Sequence, residues 1–272
     1  MDGASALSSA LDDRLSRRFD PAAEEREEQD FEYDDLQDSM TALATLATGS
    51  LNLEELLTRV ATFAVGAIPG ADGAGLTLLE NDRSNTVVTT APFVREIDDI
   101  QYSIGQGPCI SAAEDGQTVR SGSLGGDRRW PRFGARVARL GVHSVVSLPL
   151  ITAGGVVGAL NVYAHAKHVF DDRAAELGEL FAVPAAITVQ NAQVLAQTRR
   201  LAHQLQYALE SRGVIDRAVG VLMSRTGGTE AEAITRLRTI SQHEHRKLVV
   251  VAESIVDEAV RRARARNSAN PG

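Results

Sequence analysis

The chain has 272 residues, 43% apolar and 4% aromatic, with a formal net charge of −8, enough apolar material for the core of one or two domains. A single cysteine excludes an internal disulfide framework and argues against zinc sites built from cysteines. No apolar run approaches the ~18 residues of a membrane span, and Met1–Arg18 lacks a basic head followed by an apolar stretch, so neither a membrane helix nor a signal peptide is expected and the cytoplasm is the expected compartment.

Residues 1–35 carry 4 basic and 12 acidic side chains, including Glu24-Glu25-Arg26-Glu27-Glu28, and read as an acidic arm, disordered or loosely helical. Helical periodicity starts near Leu36 and takes in Leu43, Leu46, Leu53, Leu56, Leu57 and Val60, until Pro69-Gly70 stops it. Strand-like runs follow at Ala74–Glu80, Thr86–Thr90, Ser144–Leu150 and Val156–Ala164. Thr152-Ala153-Gly154-Gly155 suits a hairpin connection between the last two. A glycine-rich insert with short helical pieces, Gly105–Gly141, separates the two pairs. A helix then runs from about Asp171 to Arg225, with Pro184 expected to kink or restart it. This order predicts an α+β domain over residues 36–195, an antiparallel sheet with helices on one face.

Within that helix an apolar seam keeps a 4,3 spacing: Val194, Thr198, Leu201, Leu205, Ala208, and onward Arg212, Ile215, Val219, Leu222. It reads as a short, imperfect coiled coil, predicting a homodimer through the helix around 194–222, with 196–210 as linker. The alternative is a stripe packed inside its own monomer. Residues 196–272 hold 13 basic and 8 acidic side chains, a basic end on an acidic protein, which suggests a polyanionic partner. Thr226-Gly227-Gly228-Thr229-Glu230-Ala231-Glu232 reads as a helix stop followed by a start with capping-box spacing, Thr229 to Glu232. A second helix carries Ala233, Ile234, Leu237 and Ile240; a third carries Leu248, Val251, Ala252, Ile255 and Ala259. The third ends in Arg261-Arg262-Ala263-Arg264-Ala265-Arg266, cations that suit a helix C-terminus. A glycine inside a helix costs about 1 kcal/mol relative to alanine, so Gly220 within Arg217-Ala218-Val219-Gly220-Val221-Leu222-Met223 calls for a reason, either close helix packing or a ligand.

From about Ala208 to Val260 the chain resembles the ANTAR domain, a three-helix antiterminator module. The resemblance rests on Glu210-Ser211-Arg212, Ile215-Asp216, Ala218-x-Gly220-x-Leu222-Met223, Glu232-Ala233, Leu237-Arg238, Ser241, Lys247-Leu248 and Val251-Ala252. Val219 departs from a frequent lysine, and His245 stands where an asparagine, able to cap the third helix, is expected. The resemblance implies that residues 211–266 bind nascent RNA, as tandem stem-loops overlapping a terminator in leader transcripts, leaving 267–272 as a tail. No aromatic residue follows Tyr207, so bases cannot stack on Phe, Tyr or Trp within the module. Candidate RNA-binding residues are Arg212, Arg217, Ala218, Gly220, Met223, Arg225, Arg238, Ser241, His245, Arg246 and Lys247, with core packing the competing role for Met223 and Ala218.

Residues 36–195 resemble a GAF domain of the kind fused to ANTAR modules in actinobacteria, through Gly105-Gln106-Gly107-Pro108-Cys109, Arg129-Trp130-Pro131-x-Phe133, Ser144–Leu150 and Gly158-Ala159-Leu160-Asn161-Val162-Tyr163. The resemblance implies a small-molecule sensor pocket between one sheet face and the Gly105–Gly141 insert. Cys109, Trp130 and His143 are its candidate residues, the ligand or cofactor being unknown. Cys109 is either a redox-sensitive thiol at a helix start or a buried structural one. The spacing of His143, His165 and His168 matches no metal or haem motif. With no metal pair, nucleophile elbow or phosphate loop, an enzyme is not expected; the acidic pairs Asp98-Asp99 and Asp171-Asp172 fit turns and helix starts. The competing functions are a DNA-binding regulator, disfavoured because the third helix is apolar on one face with its cations gathered at its end, and a dimeric signalling module acting on a protein partner.

Overall fold

A computed structural model describes residues 21–46, 51–80 and 83–269. Two compact units divide between Ala196 and Gln197.

In the first unit, α1 (Pro21–Leu46) and α2 (Leu53–Ala67) precede β1 (Gly73–Glu80) and β2 (Arg83–Thr89). α3 (Pro92–Ile104), α4 (Pro108–Asp115), β3 (Val119–Ser121) and α5 (Pro131–Val137) follow, then the hairpin β4 (Ser144–Thr152) and β5 (Gly155–Ala164). The sheet is antiparallel in the order β2-β1-β5-β4-β3. α6 (Asp172–Thr226) begins in this unit and ends in the second.

Of the two forms expected for the arm, residues 21–35 take the helical one, as α1 continues into Leu36, Leu43 and Leu46, which are buried against the sheet's main apolar cluster. The part of the arm before Pro21 lies outside the described residues. Helices cover both sheet faces, not one. Ala74, Leu76, Leu78, Val146, Leu148, Leu150, Leu160 and Val162 face the cluster shared with α1, α2 and α6. The alternate residues Val145 and Tyr163 face a second cluster with Val94, Ile97, Trp130 and Phe133. The signal was present in Ser144–Leu150, buried throughout, since a strand without apolar alternation is one buried on both sides. α6 runs through Pro184 without a break, and Thr188 Oγ1 donates to the Pro184 carbonyl at 2.9 Å.

The Arg-Trp-Pro-x-Phe stretch is a bracket for α5. Pro131 occupies the first helical turn and Phe133 is buried. Trp130 Nε1 donates to Ser111 Oγ on α4 at 3.0 Å, and the Arg129 guanidinium lies 4.3 Å over the indole. Arg129 also donates to Asp127, Nη2 to Oδ2 at 2.7 Å and Nε to Oδ1 at 3.0 Å. These hydrogen bonds bring the Asp127 carboxyl down to about 2. A depressed carboxyl pKa contributes stability that is fully present above the unfolded value of 3.8 and is lost as pH falls from there towards about 2. Because Arg129 is half exposed, the contribution is discounted to about 1 kcal/mol. Asp127→Asn is therefore expected to lower the thermal midpoint by a few degrees at pH 7 and by almost nothing at pH 2, which paired melts at the two pH values would check.

In the second unit the end of α6 packs with α7 (Glu230–His243) and α8 (Leu248–Ala269) around Ala218, Val219, Leu222, Ala233, Leu237, Val251 and Ala252. The stop and start between α6 and α7 are as the sequence predicts. Gly227 takes φ +66° and donates its N–H to the Met223 carbonyl at 2.8 Å. Thr229 and Glu232 cap each other reciprocally.

Candidate functional site

The sheet face away from the main cluster carries a buried polar group. Asn161 on β5 is paired in register with Gly75 on one side and Ser147 on the other, and both polar residues are fully buried. α3 lowers Asp98, Gln101 and Tyr102 onto this face, and α4 adds Cys109. Tyr163 Oη donates to Asp98 Oδ1 at 2.8 Å, and Tyr102 Oη lies 2.5 Å from Thr77 Oγ1 and 3.6 Å from Cys109 Sγ. Gln101 Oε1 accepts from the Cys109 N–H at 3.0 Å. Among the described residues, both amide atoms of Asn161, Ser147 Oγ and Gln101 Nε2 are buried without a hydrogen-bond partner. Buried polar atoms are nearly always paired, so four unpaired ones around one register pair make this face the candidate sensor site.

Burial, then the charge of Asp98, push the Cys109 thiol pKa up, and the same two causes push that of the Tyr163 phenol well above its usual value. A buried thiol with a raised pKa supplies little thiolate, so burial outweighs the helix-start position that suggested redox reactivity. As the chain's only cysteine, Cys109 also has no partner for a dithiol cycle within the chain. Of the three sequence-stretch candidates for this site, Cys109 alone sits in the polar group. Trp130 belongs to the apolar cluster beneath α5, and the His143 backbone joins the end of β4 to Ala164 and Leu124. His165 Nδ1 lies 2.9 Å from Asp72 Oδ2, and His168 takes φ +57° in a loop. Asp98, Gln101, Tyr102, Ser147 and Asn161 were missed. Asp98-Asp99 is neither a turn nor a helix start, since Asp98 lies mid-helix and is fully buried. The available signal was a lone asparagine in an apolar strand. No group of three or more His, Cys, Asp or Glu side chains able to hold a metal occurs among the described residues.

In the second unit Ala218 is wholly buried in the three-helix core, and Met223 is half-buried against it. Ala218 is thus a core residue rather than part of an accessible face. Gly220 is exposed, and a Cβ there would meet nothing within 4 Å, so it does not serve close helix packing. Arg217, Gly220 and Arg225 line one groove between α6 and α8. Arg212 is exposed near Asp216 at 3.9 Å, and Arg238 is exposed on α7. Ser241, His245, Arg246 and Lys247 gather in the turn between α7 and α8, where Ser241 Oγ donates to the Arg246 carbonyl at 2.6 Å and Arg246 pairs with Glu244 at 2.8 Å. His245 takes φ +50°. α8 starts at Leu248, so position 245 does not cap it, and its left-handed backbone is one that asparagine tolerates better than most residues.

The apolar seam divides. Val219 and Leu222 are buried and Ile215 is half-buried within the module's own core, because α7 and α8 close over that face, so this part of the seam is not available to a second chain. Val194, Leu201 and Leu205 are more than half exposed, and the heptad extends upstream through exposed Ile187 and Leu180. Among the described residues no helix is long and apolar enough to cross a membrane.

Comparison with known proteins assigns both units. The family profile described as GAF domain matches residues 50–190, and that described as ANTAR domain matches residues 203–256. No curated protein matches the chain. Similar solved structures include a GAF domain of a phosphoenolpyruvate-protein phosphotransferase from Coxiella burnetii (17% identity, 60% of this chain and 97% of that one, TM-score 0.47). A putative GAF sensor protein from Burkholderia vietnamiensis matches at 15% identity (61% and 98%, TM-score 0.47). A free methionine-R-sulfoxide reductase from Neisseria meningitidis matches at 16% (59% and 91%, TM-score 0.45). With the GAF match spanning more than half its length, the chain belongs to the GAF domain family and carries an ANTAR domain in tandem behind it.

Proposed function

We propose that this chain is a signal-responsive transcription antiterminator of the GAF-ANTAR type found in actinobacteria, acting in the cytoplasm. Its GAF domain senses a small molecule, and its ANTAR domain binds paired stem-loops in nascent leader RNA and prevents termination. GAF and ANTAR domains are regulatory rather than catalytic modules. The observation that carries the reading is α6: its first turns pack in the GAF core and its last turns in the ANTAR core. A change at the sensor face has a covalent, helical route to the RNA-binding helices.

Among the described residues the polar face holds one carboxyl, Asp98, and no basic side chain. It therefore suits a small neutral or cationic hydrogen-bonding ligand better than a phosphate-bearing one. The exposed heptad residues Leu180, Ile187, Val194 and Leu201 recur every seven positions, which supports a homodimer through α6 ahead of the three-helix core. Such a dimer presents two ANTAR modules to two stem-loops.

The test is binding of the full chain to a tandem-hairpin RNA, a scrambled RNA and duplex DNA at matched salt, alongside its mass in solution. The expected result is a dimer preferring tandem hairpins by at least tenfold. Leu201→Glu with Leu205→Glu should give a monomer and remove that preference. Equal, salt-sensitive binding to all three nucleic acids refutes specific RNA recognition, and preference for the duplex favours a DNA regulator. A dimer that binds no nucleic acid leaves the protein-partner reading.

A further inference from the structure

The groove between α6 and α8 has a volume of about 520 Å³ and an unusual make-up. Small residues line it from both helices, Gly220 and Ser224 on α6 and Ala259 and Ala263 on α8, beside Val221, Val256 and Val260. Its rim carries four guanidinium groups, Arg217 and Arg225 on α6, Arg262 and Arg266 on α8. Glu258 pairs with two of them, Arg225 at 3.7 Å and Arg262. Among the described residues the lining holds four arginines and no acidic side chain, so the groove is positive. Arg262 and Arg266 lie beyond the ANTAR match, which ends at 256, and helix-dipole arguments alone had explained them.

We propose that this groove seats the phosphate backbone of the bound RNA, and that Arg262 and Arg266 are phosphate ligands together with Arg217 and Arg225. The inference rests on the RNA-binding reading above and locates its contact surface. Three observations converge. A helical glycine is unfavourable relative to alanine, and Gly220 is not needed by the module's packing, since open space lies where its Cβ would be. Small lining residues let a backbone settle between the two helices, which is a use for that glycine. The rim is all arginine, whose planar fork matches phosphate oxygens bidentately. No Phe, Tyr or Trp follows Tyr207, so in the three packed helices backbone contact must carry much of the affinity. From Val256 to Arg266 the groove follows α8 over ten helical steps, roughly 15 Å, enough for more than one phosphate. An acidic protein segment is the competing occupant.

Arg261 and Arg264 supply the control. At about 100° per residue they point away from the face that holds Ala259, Arg262, Ala263 and Arg266. The experiment titrates a labelled tandem-hairpin RNA with the full chain at several salt concentrations. Four proteins are compared: wild type, Arg262→Ala with Arg266→Ala, Arg261→Ala with Arg264→Ala, and Gly220→Leu. The groove pair is expected to lose about tenfold in affinity and to flatten the slope of log K against log salt by about 1.5 to 2, two phosphate contacts' worth. The control pair should lose less than twofold. Gly220→Leu should bind at least tenfold more weakly while melting no lower than wild type. Equal losses from both arginine pairs would reduce the groove to generic charge and overturn the proposal. So would full affinity in the groove pair and in Gly220→Leu while wild type still prefers hairpins. If wild type shows no hairpin preference, or the groove variants lose only binding to an acidic peptide, the antiterminator reading falls as well.

Discussion

Gly158→Ala is expected to destabilise the GAF domain by about 3 kcal/mol or more, the upper end of overpacking costs. A Cβ at Gly158 would stand 2.2 Å from the Thr77 carbonyl oxygen and 3.4 Å from the Leu78 Cα. Those are backbone atoms of β1, paired in register with β5, so no side chain can swing aside. β5 cannot drift away either, because Gly158 is paired on its other edge with Leu150 of β4. Relief must come from parting β5 from β1 at their last register pair, Leu78 with Gly158, in the middle strands of the sheet. Domain stability is typically 5–15 kcal/mol, so the loss is a large share of it. The GAF melting transition should fall by about 10 °C, read by calorimetry. Gly220→Ala is the matched control, with open space at its Cβ and a gain in helix propensity. A Gly158→Ala transition within 2 °C of wild type would contradict the strand register.

Local chemistry was legible in the sequence wherever it is local in the structure. The four long strands, the Thr152–Gly155 hairpin and the Thr229–Glu232 box depend on neighbours within a few positions, and their residues say so. What was not legible depends on distant partners. Asp98 looks like half of a solvent-facing acidic pair until Tyr163, 65 positions away, is seen to hold its carboxyl. That misreading hid α3, whose inward face is polar as well as apolar. The downstream end of the seam has a partner within the chain: nothing in the spacing of Val219 and Leu222 tells whether a second chain or α7 and α8 will cover them. For Gly220, packing, one of the two reasons the sequence offers, is excluded by the empty space around it. At His245 the expected capping role does not hold, because α8 starts at Leu248, and the positive φ there is a backbone property that residue identity only hints at.

Leu237→Ala separates loss of the ANTAR fold from loss of its surface. The module's fully buried set is Ala218, Val219, Leu222, Ala233, Leu237, Val251 and Ala252. Three of the seven are alanines, so Leu237, with no exposed surface, supplies a large share of the side-chain bulk. Removing it costs about 2–5 kcal/mol through lost transfer energy and the cavity left behind. A three-helix unit of this size has little stability to spare. The expected result is a variant whose ANTAR helices exchange amide hydrogens freely and whose hairpin binding is gone. The GAF amides should stay protected, because that domain's clusters share no residue with this one. Gly220→Leu is expected to do the reverse, with full amide protection and weakened RNA. If Leu237→Ala left the ANTAR amides as protected as in wild type, the packing of α7 onto α6 would be wrong. The groove that α6 and α8 form would then lose its physical basis too, because the same core fixes the spacing of its two walls.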